Sequence, residues 1–143
     1  MKIAKIVKNL SFSQSEYILI GGAALAIRGI KETSDIDILV SKSLLEKLKK
    51  ENENLKDEDK YWVYHPRIIA SEEAGLIHKS EYTVIELYPS IACDTVSFTE
   101  LKNNQEIIDD IPVAHLTDII KIKEFYNREK DKKDIELVRR YLA

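Results

Sequence analysis

The sequence lacks most of what would place it outside the ordinary globular class. It has one cysteine, Cys93, so no internal disulfide can form, which fits a reducing cytoplasm. Its three histidines, His65, His78 and His115, show no metal-ligand spacing, and none stands near Cys93, so nothing points to zinc. No apolar run is long enough for a membrane-spanning helix. There is no G-K-[ST] and no G-x-G-x-x-G, which removes the P-loop and the dinucleotide fingerprint. Lys2, Lys5 and Lys8 interrupt the N-terminus, so it lacks the apolar core of a signal peptide. That segment reads instead as an amphipathic helix with Ile3, Ile6, Val7 and Leu10 inward. No repeat and no low-complexity linker is found, and 143 residues fit one domain, 1–143.

An excess of positive charge is also missing. The formal net charge is −3, which argues against a chain that coats nucleic acid. The charge is uneven, however. From Lys121 onward eight Lys/Arg face five Asp/Glu, so the C-terminal segment is the basic pole of an acidic molecule. Lys and Arg near a helix C-terminus explain part of that surplus.

What is present centres on Tyr17 to Val40. Tyr17–Ile20 reads as a short buried strand ending at Gly21-Gly22, Ala23 to Arg28 as a helical segment stopped by Gly29, and Asp35 to Val40 as a second strand. Ser41 or Ser43 caps a helix with Leu44, Leu45 and Leu48 on one face, and 49–60 reads as a solvated helix end and a loop. Tyr61–Tyr64, Arg67–Ala70 and Tyr82–Tyr88 read as strands, with Leu76-Ile77 starting another, and 91–96 as irregular. Phe98–Lys102 reads as a short helix, Asn103-Asn104 as a turn, and Ile107–Val113 as an extended segment broken at Asp109-Asp110. Thr117 caps a helix to about Asn127, and a last helix covers Asp131 to Leu142, with Asp131 as its N-cap and Asp134 at N3. The expected fold is α+β, a mixed sheet with helices packed on it.

Gly21-Gly22, at a strand-to-helix turn, lets backbone N–H groups approach a ligand, although such pairs also serve as plain turns. Asp35 and Asp37 alternate along a strand, so both carboxylates project from one face, roughly 6–7 Å apart. Two like charges this close favour a cation between them, and Mg²⁺ takes oxygen ligands that it shares with substrate phosphates. A pair of such ions can orient an attacking hydroxyl and stabilise a leaving oxygen. Val84, Glu86 and Tyr88 share a strand face, which puts a carboxylate among apolar neighbours, a costly placement without a cation. Trp62, Tyr61 and Tyr64 fit core packing of a strand, with stacking on a base or acceptor as the alternative.

The glycine pair, twelve further residues and D-x-D together resemble the signature of the DNA polymerase β-like nucleotidyltransferase superfamily. Within it the chain is more similar to small prokaryotic members, including abortive-infection type toxins. G-I-K-E-T-S-D-I-D over 29–37 resembles the family's G-x-x-R-x-T-x-D-x-D, with Lys31 where Arg is commoner. V-I-E-L-Y-P-S over 84–90 resembles the strand carrying a third carboxylate, making Glu86 the candidate and Asp94 its rival. K-E-F-Y-N-R-E-K-D-K-K-D-I over 123–135 resembles a closing K-x-x-x-x-R-x-K-D-x-x-D-h. The likeness covers the chain apart from roughly 45–80.

The resemblance implies Mg²⁺-dependent transfer of a nucleoside monophosphate from an NTP, ATP among them, to an acceptor hydroxyl, releasing pyrophosphate. Asp35, Asp37 and Glu86 are then the catalytic and metal-binding residues, two ions being implied. Gly21, Gly22, Ser34, Lys123 and Arg128 are the residues for nucleotide and phosphate, with Lys130 as added charge. It also implies an acceptor that is a tRNA, a protein or a small molecule, and a toxin–antitoxin partner or a second copy of the chain. The alternative is a catalytically weak module of the same fold, retained to bind a partner.

Overall fold

The computed structural model describes residues 2–33, 35–51, 55–58, 61–64, 84–88 and 96–143. The expected strands Arg67–Ala70 and Leu76-Ile77, the irregular 91–95, and Ser34, His65, His78, Cys93 and Asp94 lie outside these residues.

Helix α1 (Lys2–Asn9) buries Ile3, Ile6 and Val7, as its apolar spacing requires, and Leu10 is buried in the turn that follows it. A single 3-10 turn then leads into β1 (Tyr17–Ile20), buried along its whole length. Strand β1 ends directly in α2 (Gly21–Ala26), whose six residues begin at the glycines themselves, two residues earlier than Ala23. The chain turns at Gly29, whose φ of +76° suits glycine, and enters β2 (Asp35–Val40). Helix α3 (Lys42–Glu51) is capped by Ser41, whose Oγ accepts from the Leu44 N–H at 3.1 Å.

The expected loop at 49–60 instead contains a short edge strand, β3 (Lys56–Asp57), pairing with β4 (Trp62–Tyr64). Both β3 residues are exposed, so no buried pattern marks them in the sequence. Strand β5 (Val84–Tyr88) precedes α4 (Phe98–Asn104), which absorbs the expected Asn103-Asn104 turn. A hairpin of β6 (Glu106–Ile108) and β7 (Ile111–Val113) closes through Asp109 and Asp110, both at positive φ.

Two helices end the chain, α5 (Leu116–Tyr126) and α6 (Glu129–Leu142). Their caps correct the sequence-based assignment. His115, not Thr117, caps α5, its Nδ1 accepting from the Thr117 N–H at 3.1 Å. Arg128 is the N-cap of α6, and Asp131 stands at N3, where Oδ2 accepts from the Arg128 N–H at 3.1 Å. Asp134 lies a turn further in. Propensity favours Thr and Asp as caps, but the neighbouring residues His115 and Arg128 hold those positions, His115 through its ring and Arg128 through its backbone.

The sheet runs β3-β4-β5-β2-β1-β7-β6, mixed in direction. At its centre β2 is antiparallel to β1 and parallel to β5. Ile18, Leu19, Ile36, Ile38, Ile85 and Leu87 are all at most 1 % exposed. Each such burial contributes about 1.5–3 kcal/mol against leaving the side chain in water. This rigid centre sets the register of the polar face opposite Ile36 and Ile38.

Candidate active site

Strands β2 and β5 place Asp37 directly beside Glu86, and Asp35 beside Val84. In a parallel pair, registered residues share a face, so Asp35, Asp37, Glu86 and Tyr88 project together while Ile36, Ile38, Ile85 and Leu87 fill the core. The burial is graded. Asp35 is exposed, whereas Asp37 and Glu86 are half-buried. The Asp37 Oδ1 atom is fully buried and has no hydrogen-bond partner.

An unpartnered buried carboxylate oxygen costs free energy, and the titration of Asp37 expresses that cost. Burial, the adjoining Glu86 carboxylate and then Asp35 push its pKa up to about 7, against a partial opposing pull from Lys123. Glu86 has a partner of its own. The Tyr88 hydroxyl donates to its Oε1 at 2.9 Å. Burial, Asp37 and the bond to Glu86 all raise the Tyr88 pKa, so its hydroxyl keeps the proton it donates.

The glycines have a packing reason beyond the turn. Gly21 has φ +60°, and a Cβ there would fall 2.6 Å from Asp37 Oδ2. A Cβ on Gly22 would fall 2.9 Å from Thr33 Oγ1 and 4.0 Å from Lys31 Cε. Thr33 in turn binds the backbone at the start of β2, its Oγ1 accepting from the Asp35 N–H at 3.3 Å. The glycine turn, Lys31, Thr33 and the carboxylates thus form one corner.

The cationic residues close it from the side of α5 and α6. Lys123 is buried, 2.8 Å from Asp134 Oδ2 and 3.7 Å from Asp131 Oδ1. Lys31, not singled out as a ligand from sequence, reaches the other Asp134 oxygen at 2.9 Å. Arg128 grips Asp131 in two places, Nε to Oδ2 at 2.7 Å and Nη2 to Oδ1 at 3.2 Å, and lies over the Tyr126 ring. Burial alone would raise Asp131 and Asp134, but Arg128 outweighs it for Asp131, and Lys123 with Lys31 for Asp134, so both sit below the usual carboxylate range. Asp131 and Asp134 are therefore ion-pair partners as well as residues of a helix start. Lys130 is exposed.

The structure brings together Asp35, Asp37, Glu86, Gly21, Gly22 and, at the flank, Lys123. Ser34 and Asp94 cannot be placed, being outside the described residues. Among the described residues no three His, Cys, Asp or Glu side chains already converge on one point. Asp37 and Glu86 supply the close pair, and exposed Asp35 lies two residues along the same face of β2. Oxygen donors, one of them buried and without a partner, are the donor set for a hard divalent cation, so the residues fit Mg²⁺. Tyr88 and Lys31 were missed as site residues. Tyr88 had a signal in its two-residue spacing from Glu86, and Lys31 in its place before T-x-D-x-D.

No protein-family model matches the chain, and no curated protein matches it. Among solved structures it superposes on a candidate nucleotidyltransferase from Thermotoga maritima with a TM-score of 0.50 and 16% identity, covering 99% of this chain and 88% of that one. JHP933 from Helicobacter pylori overlaps more loosely, with a TM-score of 0.41 and 22% identity over 83% of this chain and 51% of that one. The chain accordingly has a nucleotidyltransferase-like α+β fold. Among the described residues no helix is long and apolar enough to cross a membrane.

Proposed function

We propose that the chain is a Mg²⁺-dependent nucleotidyltransferase of the DNA polymerase β-like kind, related to the small prokaryotic toxin-type members and working in the cytoplasm. The observation that carries this reading is the Asp37–Glu86 pair, in register on neighbouring parallel strands, with Asp37 Oδ2 against Gly21 and Oδ1 buried without a partner. A half-buried, charge-repelled carboxylate pair in a fold of this type is what a cation-dependent site requires.

In this reading Asp35, Asp37 and Glu86 hold Mg²⁺, which when bound supplies charge neutralisation at the phosphates. Gly21 and Gly22, with Ser34, let the triphosphate approach the backbone. Lys123 and Arg128 add positive charge to receive it. The acceptor oxygen attacks the α-phosphorus, an O–P bond forms, and the bond from α-phosphorus to the bridging oxygen breaks. Pyrophosphate leaves, and Glu86 takes the acceptor proton. The acceptor is a hydroxyl of a tRNA, a protein or a small molecule.

Incubation with each labelled NTP, Mg²⁺ and cell extract should label a product with the native chain and none with Asp35→Ala/Asp37→Ala. Equal labelling by the double variant, or none by the native chain in any extract, defeats the proposal. A second reading, a non-catalytic partner-binding module, draws support from the lack of a preformed three-carboxylate cluster among the described residues. It requires that the double variant keep its biological effect and that the native chain show no calorimetric binding of Mg²⁺·ATP.

A further inference from the structure

Asp134 binds lysines from two other parts of the chain, and the proposed chemistry does not use it. It is 6 % exposed and lies on α6, yet its two oxygens take the ammonium groups of two other elements. Lys31 comes from the segment between α2 and β2, and Lys123 from α5. With both oxygens engaged and the side chain buried, Asp134 is unavailable to a ligand. Its effect is on the lysines.

Both lysines lie at the carboxylate corner. The Lys31 stem runs past Gly22, Cε being 4.0 Å from where a Cβ would stand, and the charge of Lys123 is felt at Asp37. Two ammonium groups gathered at one carboxylate repel each other, and the half-exposed Lys31 would otherwise favour water. Each ammonium carries three donors, so binding Asp134 leaves N–H groups on both for another anion. Asp131 shares in holding Lys123, but no contact ties it to Lys31. The Lys31–Asp134 contact joins residues 103 apart in sequence and fastens the loop before Asp35 to the last helix.

We propose that Asp134 is a positioning residue that holds Lys31 and Lys123 as a preassembled pair for the polyphosphate of the substrate, with Lys31 as a second phosphate ligand. This rests on the nucleotidyltransferase reading and adds to it a residue that acts without touching substrate. If Asp134 were only a nearby negative charge, its neutralisation would strengthen anion binding. If it positions the lysines, Asp134→Asn weakens binding, because Lys31 is released to solvent and the donors are no longer ordered in advance.

The experiment is calorimetric titration of the full chain with inorganic tripolyphosphate in Mg²⁺, then with Mg²⁺·ATP, on native protein, Asp134→Asn, Asp134→Glu, Lys31→Met and Lys31→Met/Asp134→Asn. Circular dichroism and thermal unfolding establish that each variant is folded. The expected result is about tenfold weaker binding for Asp134→Asn and for Lys31→Met, with partial recovery in Asp134→Glu. The double variant should lose little more than either single one, because both changes break one contact. Unchanged or tighter binding by Asp134→Asn overturns the proposal, as does full additivity in the double variant. If Asp134→Asn does not fold, Lys31→Met decides, since Asp134 then keeps Lys123; undiminished binding by folded Lys31→Met overturns it. A native chain that binds neither probe refutes the nucleotidyltransferase reading as well, whereas native binding with indifferent variants refutes this inference alone.

Discussion

Asp134 and Asp37 both feel the charge of Lys123, and otherwise their settings are opposed. Asp134 gives one oxygen to each of two lysines, and those bonds hold its pKa down in spite of burial. Asp37 has a buried oxygen with no donor, a carboxylate for its strand neighbour, and a pKa pushed up to about 7. One group is complete within the chain, and the other is complete only with a proton or a cation. The difference separates architecture from function more sharply than residue type does: a satisfied buried aspartate holds elements together, and an unsatisfied one calls for a ligand.

The largest effect should come from breaking the satisfied group. Asp134→Ala leaves Lys123 buried beside Asp131 alone, at 3.7 Å, and should cost about 3–5 kcal/mol in urea unfolding. Gly21→Ala comes next. A Cβ at φ +60° would press on Asp37 Oδ2, so we expect a loss of about 2–3 kcal/mol, part of it recovered in an Asp37→Ala background. Gly29→Ala, where nothing lies within 4 Å, should cost only the left-handed backbone, about 1 kcal/mol.

Changes at Asp37 should have the other sign. Asp37→Asn removes a charge that the fold disfavours and should stabilise the Mg²⁺-free protein at about pH 8 by on the order of 2 kcal/mol while abolishing labelling by NTP. The pH dependence follows. A carboxyl whose folded pKa is raised binds its proton more tightly in the native state, so native stability falls as pH rises from the unfolded value near 4 through about 7. Asp131 and Asp134, with lowered pKa values, contribute stability above the ordinary aspartate range that is lost as pH falls below it. The unfolding temperature of the Mg²⁺-free protein should therefore carry a decline from about pH 4 to about pH 7, and Asp37→Asn should flatten that decline. As small as the Gly29 change, Tyr88→Phe removes one bond to Glu86 and should cost about 1 kcal/mol, with a modest loss of Mg²⁺ affinity.

Much of the satisfied structure could be read from sequence. The spacing of Ile3, Ile6, Val7 and Leu10 gave the buried face of α1, and the alternation in 35–40 put Asp35 and Asp37 on one face. The meeting of Asp37 with Glu86 was expected only through the resemblance, because nothing local in 84–88 states which strand it joins or in which register. The pairing of Lys31 with Asp134 was invisible for the same reason, and Asp131 and Asp134 looked like helix-start residues because local propensity says so. His115 and Arg128 took the caps through contacts that propensity does not rank.

The central claim is that the Asp37–Glu86 pair is a divalent-cation site. Binding of Mn²⁺, as a spectroscopic stand-in for Mg²⁺, to the full chain and to Asp37→Asn tests it most directly, followed by electron paramagnetic resonance. We expect saturable binding to the native chain that tightens from about pH 6 to about pH 8, as Asp37 gives up its proton, and is lost in Asp37→Asn. Equal binding by the two proteins, or no binding by the native chain across that range, would contradict it.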